Sequence, residues 1–424
     1  MPPSQLQMDQ PDESGRCVVY CEMSIWPAKF PDHVRQLAVC RCEYVERFPA
    51  TLPDKLSTLA VSECPRLVEL PAELPHMLDH LSVCNCQALE GLPILPSTVR
   101  HLGVAECGKL HAIPDALPAG MQTLYLSGLH EVQELPGRLP EQLAELRVRQ
   151  LANLTALPDA LPSSLTVLSL SNIPRINMLP NKLPAGLLSL HVKDCAGLAG
   201  LPPMLPHTLQ ELCIVECPRV RELPARLPPA LQRLDVRECE HLAALPEPLP
   251  DSLQYLRVKW CSQLTALPST LPAQLRELDI SWCAKLSALP EVLPESLQSL
   301  SLKWCRAISR IPALPACMHT LQVDWCSELH ALPATLPPSM VHLGVNWCSK
   351  LTQLPESLPA TLQSICVRGC RKIKRLPMPL PPGLQRLDVG WCEVKSLPEL
   401  PPTCRQLNCG YCMYLTEEGE SLVQ

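Results

Sequence analysis

Phenylalanine is nearly missing from this sequence, with two residues in 424, and glycine is scarce at sixteen. Average usage would put glycine near 7%. The shortage leaves no phosphate-cradling glycine loop, and neither G-x-S-x-G nor H-E-x-x-H occurs, so the common hydrolase, kinase and zinc-protease arrangements are excluded. No apolar run reaches the ~18 residues of a membrane-spanning helix, because a proline or a charge interrupts every candidate. An excess of positive charge is lacking too. A net charge of −6 and a pI near 6.1 give no global attraction to nucleic acid or anionic membrane. The first fifteen residues, MPPSQLQMDQPDESG, have neither the basic start nor the apolar run of a Sec-type signal. Such a polar leader is compatible with type III secretion and equally with a frayed terminus.

What the chain does contain is proline (49), cysteine (24) and a 46% hydrophobic share, enough for a continuous core. The cysteines are periodic. Cys42, Cys64, Cys86 and Cys107, then Cys195, Cys217, Cys239, Cys261, Cys283, Cys305, Cys326, Cys348, Cys370, Cys392 and Cys412 recur at 22 residues nearly throughout, and Leu129, Leu151 and Ile173 fill the gap in register. The unit is L-x-x-L-x-[VIL]-x-x-C-x-x-L-x-x-L-P-x-x-L-P-x-x, repeated about eighteen times, as in LQYLRVKWCSQLTALPSTLPAQ from Leu253 to Gln274. The L-x-V stretch alternates with period two, which predicts a short strand. The L-P pairs exclude strand and helix interiors and predict an extended, polyproline-like return. One such unit cannot bury its apolar face alone; a stack can. The expected fold is therefore an α/β-type repeat solenoid, a leucine-rich-repeat horseshoe with a parallel concave β-sheet and an extended convex side. At about 4.8 Å per strand its arc would be on the order of 80 Å.

The expected organisation is a flexible polar leader (1–16), an N-terminal cap (17–33), the solenoid (34–416) and a polar tail (417–424), with no room for a second domain. In the cap, Trp26-Pro27 and Phe30-Pro31 stand for the two L-P pairs, and Val18 and Cys21 take strand-like slots. The acidic tail, TEEGESLVQ, would shield the last open strand.

The L-P-x-x-L-P-x-x-L-x-x-L-x-V pattern resembles the bacterial leucine-rich-repeat effectors of the YopM, IpaH and SspH type. The shorter L-P-x-L-P form of that family occurs at Leu92–Pro96, Ile311–Pro315 and Leu397–Pro401. Cysteine stands where those effectors usually carry asparagine. Some members append a ubiquitin-ligase domain with a C-x-D nucleophile motif, and no C-x-D occurs here. The resemblance implies a repeat-only scaffold that binds host proteins after type III secretion, in a reducing, cytoplasmic environment.

Among residues that could carry chemistry, the cysteine column reads as packing, since Leu129, Leu151 and Ile173 could not bind metal. Cys409-x-x-Cys412 is half a zinc motif without its second half. Cys40, Cys84, Cys213 and Cys366 fall in outward strand slots and read as exposed thiols, and His80, His101, His191 and His342 share that outward face. No catalytic residue, metal or cofactor is expected.

The residue before the column cysteine is distinctive. Trp260, Trp282, Trp304, Trp325 and Trp347 fill it in five consecutive repeats, Trp391 recurs two repeats on, and Tyr411 follows. Earlier repeats hold Arg41, Glu63, Asn85, Glu106, Gly128, Gln150, Asn172, Asp194, Glu216 and Glu238 there, which makes the slot solvent-facing and the tryptophans an exposed aromatic ladder. Contiguous exposed aromatics mark binding surfaces, although rings stacked only to stiffen the solenoid would give the same pattern. Tyr255, Arg257, Lys259 and Lys303 occupy adjacent outward slots, with Asp279, Asp324, His342, Arg147, Arg149, Lys193, Arg237 and Arg368 on the same face. Mixed charge beside aromatics favours a protein partner. The alternatives are a ubiquitin-ligase-related enzyme with an unrecognised catalytic part, and nucleic-acid or glycan binding by the ladder, which phosphate-dependent salt sensitivity would reveal.

Overall fold

In the computed structural model, residues 7–8, 16–20, 30–31, 33–49, 51–412 and 414 are described. The chain divides into two compact units, Met1–Leu209 and Gln210–Gln424. Both are built from the same coil. Each L-x-V alternation becomes a strand with the apolar residues on one side, and each Leu-Pro segment is neither strand nor helix. Among the described residues there is no helix, so none is long and apolar enough to cross a membrane.

The first unit begins with β1 (Gln7–Met8), which pairs antiparallel with β2 (Arg16–Tyr20). It continues with β3 (Gln36–Cys40), β4 (Thr58–Ser62), β5 (His80–Cys84), β6 (His101–Ala105), β7 (Thr123–Ser127), β8 (Glu145–Arg149), β9 (Val167–Ser171) and β10 (Ser189–Lys193). From β2 onward every neighbour is parallel and in register, for example Leu81↔Leu102 and Val83↔Val104. In the expected cap, β2 does continue the strand series, but Cys17 and Val19 are the buried positions, matched to Leu37 and Val39. Val18 faces outward, so the inward parity is one residue off the expected slot. Phe30 is buried, as expected for its L-P position. Cys21, Trp26 and Pro27, and the tail from 417, lie outside the described residues.

The second unit carries β11 (Glu211–Val215), β12 (Arg233–Arg237), β13 (Tyr255–Lys259), β14 (Glu277–Asp279), β15 (Ser299–Ser301), β16 (Thr320–Gln322), β17 (His342–Gly344), β18 (Ser364–Cys366), β19 (Arg386–Asp388) and β20 (Gln406–Asn408), again parallel throughout. Its first three strands have five residues and the rest three.

Inside both units the consensus Leu, Val and Cys positions have essentially no exposure, as at Leu81, Val83, Cys86 and Leu89 or Leu256, Val258, Cys261 and Leu264. Burying each such side chain contributes about 1.5–3 kcal/mol, so a coil is stable only with neighbours to bury it. The Leu-Pro side is tied by two recurrent bonds. The amide of Leu253 closes a turn on the Pro250 carbonyl at 3.1 Å. The hydroxyl of Ser252 lies 2.7 Å from each of two carbonyls one repeat back, Pro229 and Leu231. Cys317 replaces the hydroxyl in one coil, its thiol 2.7 Å from the Glu295 carbonyl. The architecture is the expected leucine-rich-repeat solenoid.

Candidate functional site

The slot before the column cysteine is a left-handed backbone position in every repeat. Its φ lies between 51° and 58° from Arg41 to Trp260 and between 59° and 67° from Trp282 to Tyr411, with glycines at 61° (Gly128) and 72° (Gly369). Here the strand must turn sharply downward. Glycine, asparagine and aspartate enter this conformation most easily, and Asn85, Gly128, Asn172 and Asp194 occupy it in the first unit. Tryptophan does not enter it easily: a left-handed residue with a bulky side chain costs roughly 1–2 kcal/mol.

Six tryptophans nevertheless sit there, and their indoles stack. Ring centroids are 3.9 Å apart for Trp260–Trp282, 4.4 Å for Trp282–Trp304 and for Trp304–Trp325, and 5.0 Å for Trp325–Trp347, with interplanar angles of 9–15°. Trp391 and Tyr411 form a further stacked pair at 4.3 Å. A stacked aromatic pair contributes about 0.5–1.5 kcal/mol beyond burial, which is the size of the backbone cost. The ladder expected from the pattern is therefore present, but it is not freely exposed. Faces are covered by neighbouring rings and edges are presented outward, leaving Trp260 at 45% and Trp325 at 36% exposure and Trp282, Trp304, Trp347 and Trp391 half-buried. Tyr411, at the end of the column, is 71% exposed.

The backbone beneath the column differs in the later coils, including the Gly369 coil that has no tryptophan, while the Trp260 coil keeps the earlier form. From Trp304 onward most coils close a turn from the strand to the cysteine, as from the Cys305 amide to the Leu302 carbonyl at 3.1 Å, with tryptophan at the third position where a type II turn needs positive φ. The thiols shift accordingly. Cys64, Cys107, Cys195 and Cys217 donate to the carbonyl two residues back in their own coil at 3.3–3.4 Å. Cys305, Cys326, Cys348, Cys370 and Cys392 instead donate to the carbonyl just after the strand of the preceding coil at 2.9–3.1 Å. Burial holds the Cys261, Cys283 and Cys305 thiols up at about 12, so each keeps its proton and serves as a donor. This column is packing with a hydrogen bond.

The polar columns beside the ladder are less available than their sequence positions suggest. Arg257 pairs with Glu277 at 2.8 Å, Lys259 with Asp279 at 2.6 Å and Lys303 with Asp324 at 3.9 Å. Tyr255 is covered by the Arg233 guanidinium, 4.6 Å from its ring centroid. Arg237 is bound to the buried Asp235 and Arg147 to Glu145. Asp324 also accepts from the amide and side chain of Asn346 at 2.8 and 2.7 Å. These basic groups are thus held by acids of the next repeat or of their own strand, and the tryptophans are the uncommitted part of the face. Cys40, Cys84, Cys213 and Cys366 point outward but are half-buried, not fully exposed, and burial raises the Cys213 thiol to about 11.

One cluster was not anticipated. His80 and His101 occupy the same strand position in successive coils and stack with centroids 4.1 Å apart. Asp79 holds His80 at 2.9 Å, and the three residues place ligand atoms within 4.8 Å of one another. Nδ1 of His101 lies 2.9 Å from the Thr123 hydroxyl. Facing rings direct their nitrogens side by side, so sharing a cation would require one ring to turn. The recurrence of histidine at one slot was the signal for this pair.

No protein-family model matches the chain, and neither does any curated protein sequence. Among solved structures, YopM from Yersinia enterocolitica WA-314 is 30% identical, with 88% of this chain and 86% of that one covered and a TM-score of 0.63. The chain belongs to the YopM-type leucine-rich-repeat family. YopM from Yersinia pestis is 24% identical over 89% of both chains with a TM-score of 0.46. The Toll–Spatzle complex of Drosophila shares only the fold, at 16% identity and a TM-score of 0.56 over 92% of this chain and 59% of that one.

Proposed function

We propose that this YopM-type chain is a non-enzymatic protein-binding scaffold, a bacterial effector that a type III system delivers into the host cytoplasm, where the tryptophan edges from Trp260 to Trp391 contact a host protein. One observation carries the reading: six tryptophans are kept in a strained left-handed slot, Trp260 and Trp325 exposed and the other four half-buried. Stacking offsets much of the strain, so little net stability is left to account for six tryptophans, and the larger gain lies outside the fold. Tryptophan is the residue most enriched at binding hot spots. The outward-facing Cys40, Cys84, Cys213 and Cys366 are free thiols, the state that a reducing compartment maintains. Because the neighbouring cations are already paired, contact is made mainly by apolar edges.

The test replaces Trp282, Trp304 and Trp325 together by asparagine, which this slot already holds at Asn85 and Asn172. The wild-type chain is expected to retain a protein from host-cell lysate and the triple variant to lose it at least tenfold, with the circular dichroism spectrum unchanged. Full retention by a folded triple variant would overturn the reading.

A further inference from the structure

The aromatic column is interrupted once. Between Trp347 and Trp391 the centroids are 6.4 Å apart and the rings tilt by 40°. The coil between them carries Gly369, whose φ of 72° is the left-handed conformation of the other rungs. The backbone of a rung is present and its side chain is not. A Cβ at Gly369 would lie 2.4 Å from Cε3 of Trp347, so that indole leans into the open place.

The polar groups around this gap are unusual for the molecule. Among the described residues, two buried side-chain polar atoms have no hydrogen-bond partner, Nε of Arg368 and Nε1 of Trp391. One belongs to the residue preceding Gly369 and the other to the next rung. Both are donors, and leaving a buried donor unpaired is costly. Arg371 adds a third. Its counterpart in the Trp304 coil, Arg306, rests over that indole at 5.0 Å from the centroid. Arg371 has no ring in its own coil and lines a cleft with Trp391, Glu393, Tyr411 and Tyr414. Arg371, Lys372, Lys374 and Arg375 are exposed and make no ion pair among the described residues, unlike the cations beside the earlier rungs.

We propose that the missing rung at Gly369 is a binding site for an aromatic side chain from an acidic segment of the protein partner. The guest ring enters between Trp347 and Trp391 as Trp347 returns to the stack. A carbonyl or carboxylate of the same segment accepts from Arg368 Nε and Trp391 Nε1, and flanking carboxylates face Arg371 and the basic residues after it. A planar ring is required because the neighbours on both sides stack, and an acceptor-rich segment around it because both unpaired atoms are donors. A nucleobase would also stack, but strand binding needs a positive track for phosphates. Along the ladder the cations are paired with Glu277, Asp279 and Asp324. The site rests on the protein-binding reading above.

The test uses the full ¹⁵N-labelled chain and the capped peptide acetyl-Asp-Trp-Asp-amide, following the indole Nε1–H resonance of Trp391. The expected result is a saturable downfield shift, absent with acetyl-Asp-Ala-Asp-amide. Gly369→Trp, which fills the rung with a residue the same backbone holds in six other coils, should weaken the peptide at least tenfold. Arg371→Glu, outside the stack, should weaken it at least threefold and keeps the test open if Gly369→Trp does not fold. No saturable shift, equal affinity in Gly369→Trp, or a shift produced by a single-stranded oligonucleotide and not by the peptide would each overturn the site. If the peptide fails while Trp282, Trp304 and Trp325 still govern lysate capture, only the missing-rung site falls. If the peptide shifts Trp391 while capture ignores those three, the wider reading falls and the site stands.

Discussion

The coils as far as Glu238 and those from Trp282 onward meet the same demand, a left-handed residue at the strand end, with opposite chemistry. The earlier coils place glycine or polar residues there, and four of the ten, Asn85, Gly128, Asn172 and Asp194, enter the left-handed region easily. The later coils place tryptophan there and balance its strain by stacking. The difference spreads into the core, where strands shorten from five residues to three and the thiols switch acceptor from their own coil to the preceding one. Leucine and isoleucine replace the cysteine at 129, 151 and 173, all among the coils where the thiol serves itself. From Cys283 to Cys412 every coil keeps the thiol. The two changes accompany each other in most coils, but Trp260 follows a five-residue strand with the earlier thiol bond and Gly369 a three-residue strand with the later one.

The sharpest way to break this comparison is to remove a rung. Trp304→Ala deletes two stacking contacts and keeps the left-handed strain, so it should cost about 1–3 kcal/mol in urea unfolding. Trp304→Asn deletes the same contacts but relieves roughly 1 kcal/mol of strain, and should be the milder variant. Asn172→Ala, in the polar region, should cost no more than about 1 kcal/mol. Equal losses for Trp304→Ala and Asn172→Ala would mean that stacking balances nothing.

A smaller effect sharpens the core side. Cys305→Leu removes a donor from the Ile280 carbonyl, 3.0 Å away in the preceding coil, and should cost about 1–3 kcal/mol. Cys64→Leu gives up a bond to the carbonyl of its own coil and weak thiol contacts with Cys42 and Cys86, and copies what positions 129 and 151 already hold, so its cost should stay within about 1 kcal/mol. Chemical denaturation of the two variants side by side decides it. Indistinguishable midpoints would show the acceptor switch to be without energetic content.

Much of this was legible in the residues alone. The 22-residue period, the strand and Leu-Pro alternation, the packing role of the cysteines and the ladder itself all follow from patterns that repeat too often to be accidental. What escaped notice concerns relations between coils. The left-handed slot is signalled by Gly128, Asn85, Asn172 and Asp194 together, but the polar residues around them signal exposure to solvent equally well. That Trp260 and Trp282 touch, or that Arg257 meets Glu277 twenty residues on, depends on the spacing and lean of adjacent coils, which one coil's consensus does not contain. The parity of β2 was missed because a single imperfect unit offers too few positions to set its phase.

The first unit has a ring stack of its own, and it tests whether stacking without strain behaves differently. His80 and His101 meet at 4.1 Å on ordinary strand positions. Burial first, and then the charge of His80, lowers the affinity of His101 for a proton from its usual 6.5, against the opposing pull of Asp79. The unfolded chain therefore takes the proton more readily than the folded one. Stability from this pair is complete above about pH 6.5 and declines as the pH falls through that value. The tryptophan stack carries no titrating group and should show no such decline. Replacing His101 by threonine, the residue at the equivalent positions 58 and 123, should leave stability at pH 8 nearly unchanged and reduce the loss on acidification to pH 5 by a few tenths of a kcal/mol, in the range of an exposed histidine contact. Thermal unfolding at the two pH values reads the difference. A variant that loses as much as the wild type would show that the pair stacks without sensing its protons, and the two regions would then differ in strain alone.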